Sequence, residues 1–267
     1  MDFEQIKLDI DSQIATLSFN DPDNLNAINQ TMLDSLDQAL DHVEDPDNNI
    51  RCLILTGAGR GFCAGANMAR DPGEEDGAAS NRLADPGAGL EKFYHPLLRR
   101  LRNLHCPIVS AVNGPCAGIG MSFALMGDMV LAGKSAFFLQ AFRRIGLVPD
   151  GGATFLLPRL VGMARAKELT LMGERLSADD ALEWGLINRV FDDGELLGEA
   201  RTLAGELAKG PMSLGMIRNL LWESVDSSYE EQLNNERWAQ REAGRSKDFV
   251  EGVRAFNEKR DANFSGK

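Results

Sequence analysis

Two alternating runs open the chain, Ile6/Leu8/Ile10 and Ala15/Leu17/Phe19, on either side of the polar Asp11-Ser12-Gln13. A period of two buries one face of an extended segment, so the pattern predicts a hairpin. After the polar Asp21-Pro22-Asp23-Asn24, the apolar Met32, Leu33, Leu36, Leu40 and Val43 recur at helical spacing. Asn29 stands where a helix cap belongs, and Asp45-Pro46 ends the pattern. Cys52-Leu53-Ile54-Leu55-Thr56 is apolar nearly throughout, which predicts a strand covered on both faces, and it runs into a glycine-rich segment, residues 57 to 66. A second such strand, 107 to 112, also ends in a glycine segment, 113 to 120, followed by an apolar run suited to a buried helix. Further strands are expected near 129 to 132 and 136 to 139. Residues 70 to 90 are rich in Gly, Pro, Asp and Ala without periodicity, and a mobile surface loop over a site is expected there. From about Leu160 onward the pattern is almost wholly helical, with Pro211 opening one amphipathic helix and Tyr229 to Ala243 forming another. The recurrence of strand, glycine turn and helix argues for an α/β fold, with a core over 1–200 and a helical region over 201–267.

Composition narrows the functions available. The chain has 267 residues, enough to build a core without disulfides or metals. A net charge of −12 argues against nucleic acid and anionic lipid as partners. No apolar stretch is long enough to span a membrane, and the acidic N-terminus lacks the features of a signal or transit peptide, so a cytoplasmic protein is expected. Cys52, Cys63, Cys106 and Cys116 fit neither a disulfide scaffold nor paired metal knuckles and read as reduced thiols. The 27 glycines, against a usual share of ~7%, concentrate at 57–65, 114–120 and 146–152.

Glycine between strand and helix first raises dinucleotide binding, but neither Gly57-x-Gly59 nor Gly118-x-Gly120 is followed by the third glycine of that motif. Gly120-Met121-Ser122-Phe123-Ala124 imitates a nucleophile elbow, yet His42, His95 and His105 all precede the serine, so no triad of the hydrolase order can be drawn. The same histidines lack zinc-binding spacing. What remains is a pair of glycine turns, each presenting backbone N–H groups at a strand end, the second at a helix N-terminus where the dipole favours negative charge. Either turn alone could be a mere chain reversal. Together they offer the two converging donors of an oxyanion hole.

Phe62-Cys63-Ala64-Gly65-Ala66-Asn67-Met68, followed by Ala111-Val112-Asn113-Gly114-Pro115-Cys116-Ala117-Gly118-Ile119-Gly120, resembles the crotonase, or enoyl-CoA hydratase/isomerase, superfamily. The resemblance extends to Asn26-Ala27-Ile28-Asn29, to residues 146–154, to 176–187, and to 251–260. It implies a spiral of repeated ββα units with a C-terminal helical trimerisation region, an acyl-CoA thioester as substrate, no cofactor beyond the CoA that the substrate carries, and a homotrimer or a hexamer of paired trimers. The oxyanion donors would be the N–H groups of Ala66 and Ile119, and Asn67 stands where the family usually has Asp. Asn26, Ala27, Ile28, Ala64, Asn67, Met68 and Phe142 would line the substrate. Phe256 and Lys259 would approach the nucleotide, often from a neighbouring subunit, and Arg60, Arg70 and Lys259 are candidate partners for the CoA phosphates.

The family's hydratases use two glutamates to split water, and the matching positions here are Ser122 and Phe142, which supply no acid–base pair. Asp150, in Pro149-Asp150-Gly151-Gly152, matches the proton-transferring Asp of related isomerases, although Pro-Asp-Gly by itself signals only a turn or cap. Burial among Phe142, Val148 and Phe155 would raise its pKa. His95 reads as a helix-start residue. Residues 55–65, 93–97, 243–246 and 263–267 look most like the ring-1,2-epoxyphenylacetyl-CoA isomerases of phenylacetate breakdown. The resemblance therefore implies an isomerase that shifts a double bond or opens a ring epoxide. The alternatives are an enoyl-CoA hydratase, an aryl-CoA dehalogenase or hydrolase with Asp150 as nucleophile, and a silent acyl-CoA-binding homologue.

Overall fold

The computed structural model describes residues 1–68 and 85–267. The expected loop at 70 to 90 lies mostly outside them, as does Arg70; its end forms one helical turn, Pro86–Gly89. The hairpin is present as β1 (Ile6–Asp11) and β2 (Ile14–Phe19), paired antiparallel with Ser12 in the left-handed region at the turn. Helix α1 (Gln30–Glu44) begins where the pattern places it, with the Asn29 side chain accepting the Met32 N–H at 2.9 Å. It buries Met32, Leu33, Leu36, Leu40 and Val43.

A six-stranded sheet runs β1-β2-β3-β4-β6-β9, with β3 at Cys52–Gly57, β4 at Ile108–Val112, β6 at Met129–Gly133 and β9 at Arg189–Phe191. All its pairings after the hairpin are parallel. A smaller sheet orders β5 (Pro115–Ala117), β7 (Phe137–Leu139) and β8 (Arg175–Ser177). The two layers are linked turn by turn: β4 and β6 pair in the first, and their continuations β5 and β7 pair in the second. Isolated parallel bridges Cys63–Cys116 and Ile28–Ala66 extend the second layer back to the continuations of β3 and β2. The result is the spiral that the resemblance implies.

β3 shows why its residues are apolar on both faces. Leu53 and Leu55 enter the main core, while Cys52 and Ile54 meet Ala200, Ala204 and Ala208 of a covering helix, Leu196–Ala208. That helix crosses position 200 and packs on the sheet, so the helices lying beyond the sheet start only at Ser213–Ser224. The almost wholly helical reading beyond Leu160 needs correction, because β8 and β9 lie in it; three-residue strands are too short to show a period. Pro211 precedes the helix at Ser213–Ser224, and Tyr229–Ala243 is helical with a Ser228/Glu231 capping box. The last helix, Lys247–Glu258, is tied down by Asp248, whose carboxylate accepts the N–H groups of Met212, Ser265 and Gly266. All four cysteines are buried and free.

Candidate active site

The carboxyl ends of β3 and β4 deliver the two glycine turns to one place. Asn26, fully buried, donates from its amide to the carbonyls of Ala58, Gly61 and Phe62 and accepts the Asp21 N–H. Asn113 donates to the carbonyls of Gly57 and Gly59 and accepts the Gly57 N–H. Two amides thus replace the hydrogen bonds that a tight loop cannot make with itself, and they fix the path from 57 to 63. Asn26 serves the site through this frame, because its own polar atoms are taken up.

Beyond the frame the chains lie side by side. Ala117 N–H donates to Cys63 O at 2.9 Å. A Cβ on Gly65, whose φ is +104°, would stand 3.1 Å from Ala117 O and 3.9 Å from the Gly118 Cα. Gly118 has φ +52° and Gly120 approaches Cys63 so closely that a Cβ would stand 2.6 Å from its carbonyl oxygen. Only residues without a side chain permit this approach. It brings the peptide preceding Ala66 beside the peptide preceding Ile119. The Ala66 bridge with Ile28 uses the Gly65 carbonyl and the Asn67 N–H, so the Ala66 N–H faces the other way. Ile119 opens a short helix, Ile119–Ala124, whose first N–H groups have no intrahelical partner. Among the described residues no hydrogen bond takes up either N–H.

Asp150 stands at the rim of the same turns. A Cβ on Gly151 would overlap Ile119 Cδ1 and would lie 2.7 Å from Ser122 Cβ, which presses the Asp150 turn onto the Ile119 helix. The Ser122 hydroxyl, fully buried, donates to the Asp150 carbonyl at 2.9 Å. Ser122 therefore fixes the backbone that carries Asp150. The Asp150 Oδ1 is buried without a partner among the described residues, and burial pushes the carboxyl up to about 6 against a backbone hydrogen bond that pulls the other way. The expected cause needs one correction: Phe142 is buried, but Val148 is 78% exposed and contributes no such shielding within the chain. The Phe142 ring, with Cζ 3.7 Å from a Cβ on Gly118, lies over the Ile119 turn.

Ala64 holds the Asn26 segment through its N–H bond to Leu25 O, and Met68 is exposed at the last described position before residue 85. Ala27 is half-buried and Arg60 exposed at the same loops. Phe256 and Lys259 are not brought to this place by hydrogen bonds or ion pairs among the described residues. The start of their helix is held through Asp248 to the C-terminal tail, whose Phe264 carbonyl accepts from Arg51 at the opposite end of β3. Tyr94, at the end of a π-helical turn Leu90–Tyr94 and inside the 93–97 stretch, had no role assigned from the sequence; it packs against the core, and burial pushes its hydroxyl up to about 12. Nothing in its local pattern marks it, since the contact is made only by folding. No group of acidic, Cys or His residues able to hold a metal occurs among the described residues.

Comparison with known proteins agrees with this architecture. Residues 9–267 match the family model described as enoyl-CoA hydratase/isomerase. The chain is 46% identical over 259 residues to the 1,2-epoxyphenylacetyl-CoA isomerase of Escherichia coli (strain K12), covering 97% of each chain. It is 32% identical over 269 residues to the crotonyl-CoA hydratase of Syntrophomonas wolfei, covering 100% of each. The crystal structure of an enoyl-CoA hydratase/isomerase from Cupriavidus metallidurans superposes with a TM-score of 0.88 at 28% identity, covering 100% of this chain and 98% of that one. With its spiral of paired strands and its glycine turns meeting at the strand ends, the chain belongs to the enoyl-CoA hydratase/isomerase family.

Proposed function

We propose that the chain is an acyl-CoA isomerase that moves a proton, and with it a double bond, through a thioester enolate; an epoxide adjoining the same enolate system would open by the same charge flow. The observation that carries this reading is Asp150, whose turn is pressed onto the Ile119 helix at Gly151 and whose Oδ1 is buried without a partner among the described residues. The N–H groups of Ala66 and Ile119 would hold the thioester oxygen, each such donor contributing about 3 kcal/mol as charge develops there. The Asp150 carboxylate takes a proton from one carbon, the electron pair moves onto the thioester oxygen, and the carboxyl returns the proton to the other allylic carbon. Hydration needs a second group to handle water, and neither Ser122, committed to the Asp150 carbonyl, nor Phe142 supplies it. The proposed cofactor requirement is none beyond substrate CoA.

Assembly belongs to the same proposal. Phe256, 83% exposed, and Lys259 would reach the CoA nucleotide from a second copy, in a trimer or a pair of trimers, with Arg60 as a cation on the chain's own loops. The test gives purified protein β,γ-enoyl-CoA, trans-2-enoyl-CoA and phenylacetyl-derived CoA thioesters separately. Interconversion of the double bond without hydration, lost at least ~100-fold in Asp150→Asn, is expected. Because the base must be charged, the rate of the wild type should fall as pH drops below about 6. A 3-hydroxyacyl-CoA product, or an Asp150→Asn protein at wild-type rate, would overturn the reading.

A further inference from the structure

Three basic side chains share one face of the helix His95–Arg102: His95, Arg99 and Arg102 are spaced i, i+4 and i+7. The helix's remaining arginine, Arg100, turns to α1, where Asp37, Asp41 and Glu44 all accept from its guanidinium. The other face is not neutralised in this way. The Arg99 guanidinium and the His95 ring have no hydrogen bond or ion pair among the described residues. Arg102 donates to the adjacent Asn103 Oδ1 and lies 5.4 Å from the Trp222 ring centroid. Like charges three positions apart on a helix repel, and no carboxylate pairs with either arginine among the described residues.

All three residues line a cavity of about 430 Å3, a volume that suits a small molecule. Its floor is apolar: Leu98, Met126 and Leu156 are buried, and Phe155 and Trp222 stack with ring centroids 6.4 Å apart and planes 12° apart. Asp226 is the one carboxylate in the described lining, and it lies 3.6 Å from the Arg159 guanidinium, which covers the Phe155 ring. Positive charge is therefore in excess at the rim, although the chain as a whole carries −12. Charges more than ~8 Å away are largely screened at physiological salt, so the local arginines decide which ion the cavity attracts. The cavity is not the reacting site: Gly151 and Gly152 form part of its wall, but Ala66, Ile119 and Asp150 do not line it. It opens to solvent at Arg99, Gly152 and Asp226, which are exposed.

We propose that this cavity binds a carboxylate carried on a small apolar body, aromatic or alkyl, as a molecule separate from the acyl-CoA thioester. The carboxylate takes hydrogen bonds from Arg99 and Arg102, whose guanidinium forks match its two oxygens. The body lies on Leu98, Met126 and the Phe155–Trp222 pair. An uncharged molecule of the same shape gains only the apolar contact and leaves both arginines as they are.

The test is a ligand-observed NMR titration of the full chain with 3-phenylpropanoate and with its neutral counterpart 3-phenylpropanol. The acid should bind with a Kd on the order of 1 mM or tighter, and the alcohol on the order of 10-fold more weakly. Arg99→Gln, at an exposed position where folding is not at stake, should weaken the acid on the order of 10-fold and leave the alcohol unchanged. Arg99→Lys should recover part of that loss, and Lys167→Gln, which removes the same charge elsewhere on the surface, should change nothing. The titration is repeated with hexanoyl-CoA, a saturated thioester, and the Kd of the acid should stay the same. Equal binding of acid and alcohol, an Arg99→Gln protein that binds the acid as the wild type does, no binding of the acid in the millimolar range, or displacement of the acid by hexanoyl-CoA would each overturn the proposal.

Discussion

Replacing Asp150 by asparagine should inactivate the protein and, at neutral pH, make it more stable. The carboxyl rises from the ordinary 3.8 to about 6 on folding, chiefly because burial disfavours its charge. The folded chain therefore binds this proton more tightly than the unfolded one, so the carboxyl subtracts nothing below pH 4 and lowers stability progressively as pH rises from about 4 to about 6. Two pKa units correspond to about 3 kcal/mol, and since the group is only half-buried, solvent screening reduces this to about 1–2 kcal/mol. Asparagine keeps the shape and removes the charge. The melting temperature of Asp150→Asn should match the wild type near pH 4 and exceed it by about 2–4 °C at pH 7.5, measured by thermal unfolding at matched protein concentration. A variant less stable than the wild type at pH 7.5, or a difference that is the same at both pH values, would refute the argument that an uncompensated charge is held there.

Other consequences are equally direct. Gly65→Ala places a side chain at φ +104° against the Ala117 carbonyl, so the Ala66 peptide must shift; kcat/KM for the isomerisation should fall on the order of 100-fold while circular dichroism stays native. Asn26→Ala strips the carbonyls of Ala58, Gly61 and Phe62 of their buried donor and should cost about 2–3 kcal/mol in urea unfolding. Arg218 is buried, pairs with Asp128 at 2.7 Å and donates to the carbonyls of Leu101, Arg102 and Leu104. Arg218→Ala leaves Asp128, whose carboxyl burial already pushes up, without its partner, and should cost about 3–5 kcal/mol; Arg218→Met should cost less if only packing mattered.

The alternation at 6–19, the cap at Asn29 and the doubly apolar strand at 52–56 were legible because each depends on neighbours a few positions away, within reach of a local period. The three-residue strands β5, β8 and β9 were not, since their pairing partners lie far off in the chain and they carry no period of their own. Asn26 stands in a family motif expected to line the substrate, and what its motif does not tell is that its amide bonds to the carbonyls of the 57–63 loop.

Local sequence by itself determined the longer elements and the places where glycine gathers between strand and helix, while Asp150 entered as a candidate for proton transfer through the family resemblance. Only the tertiary structure decided what surrounds the Asp150 turn: Ser122 bound to its backbone, Ile119 pressed against Gly151, Val148 turned out to solvent. The physical reason is that a pKa and a hydrogen-bond partner are properties of the space around a group, and that space is filled by residues which become neighbours only when the spiral closes.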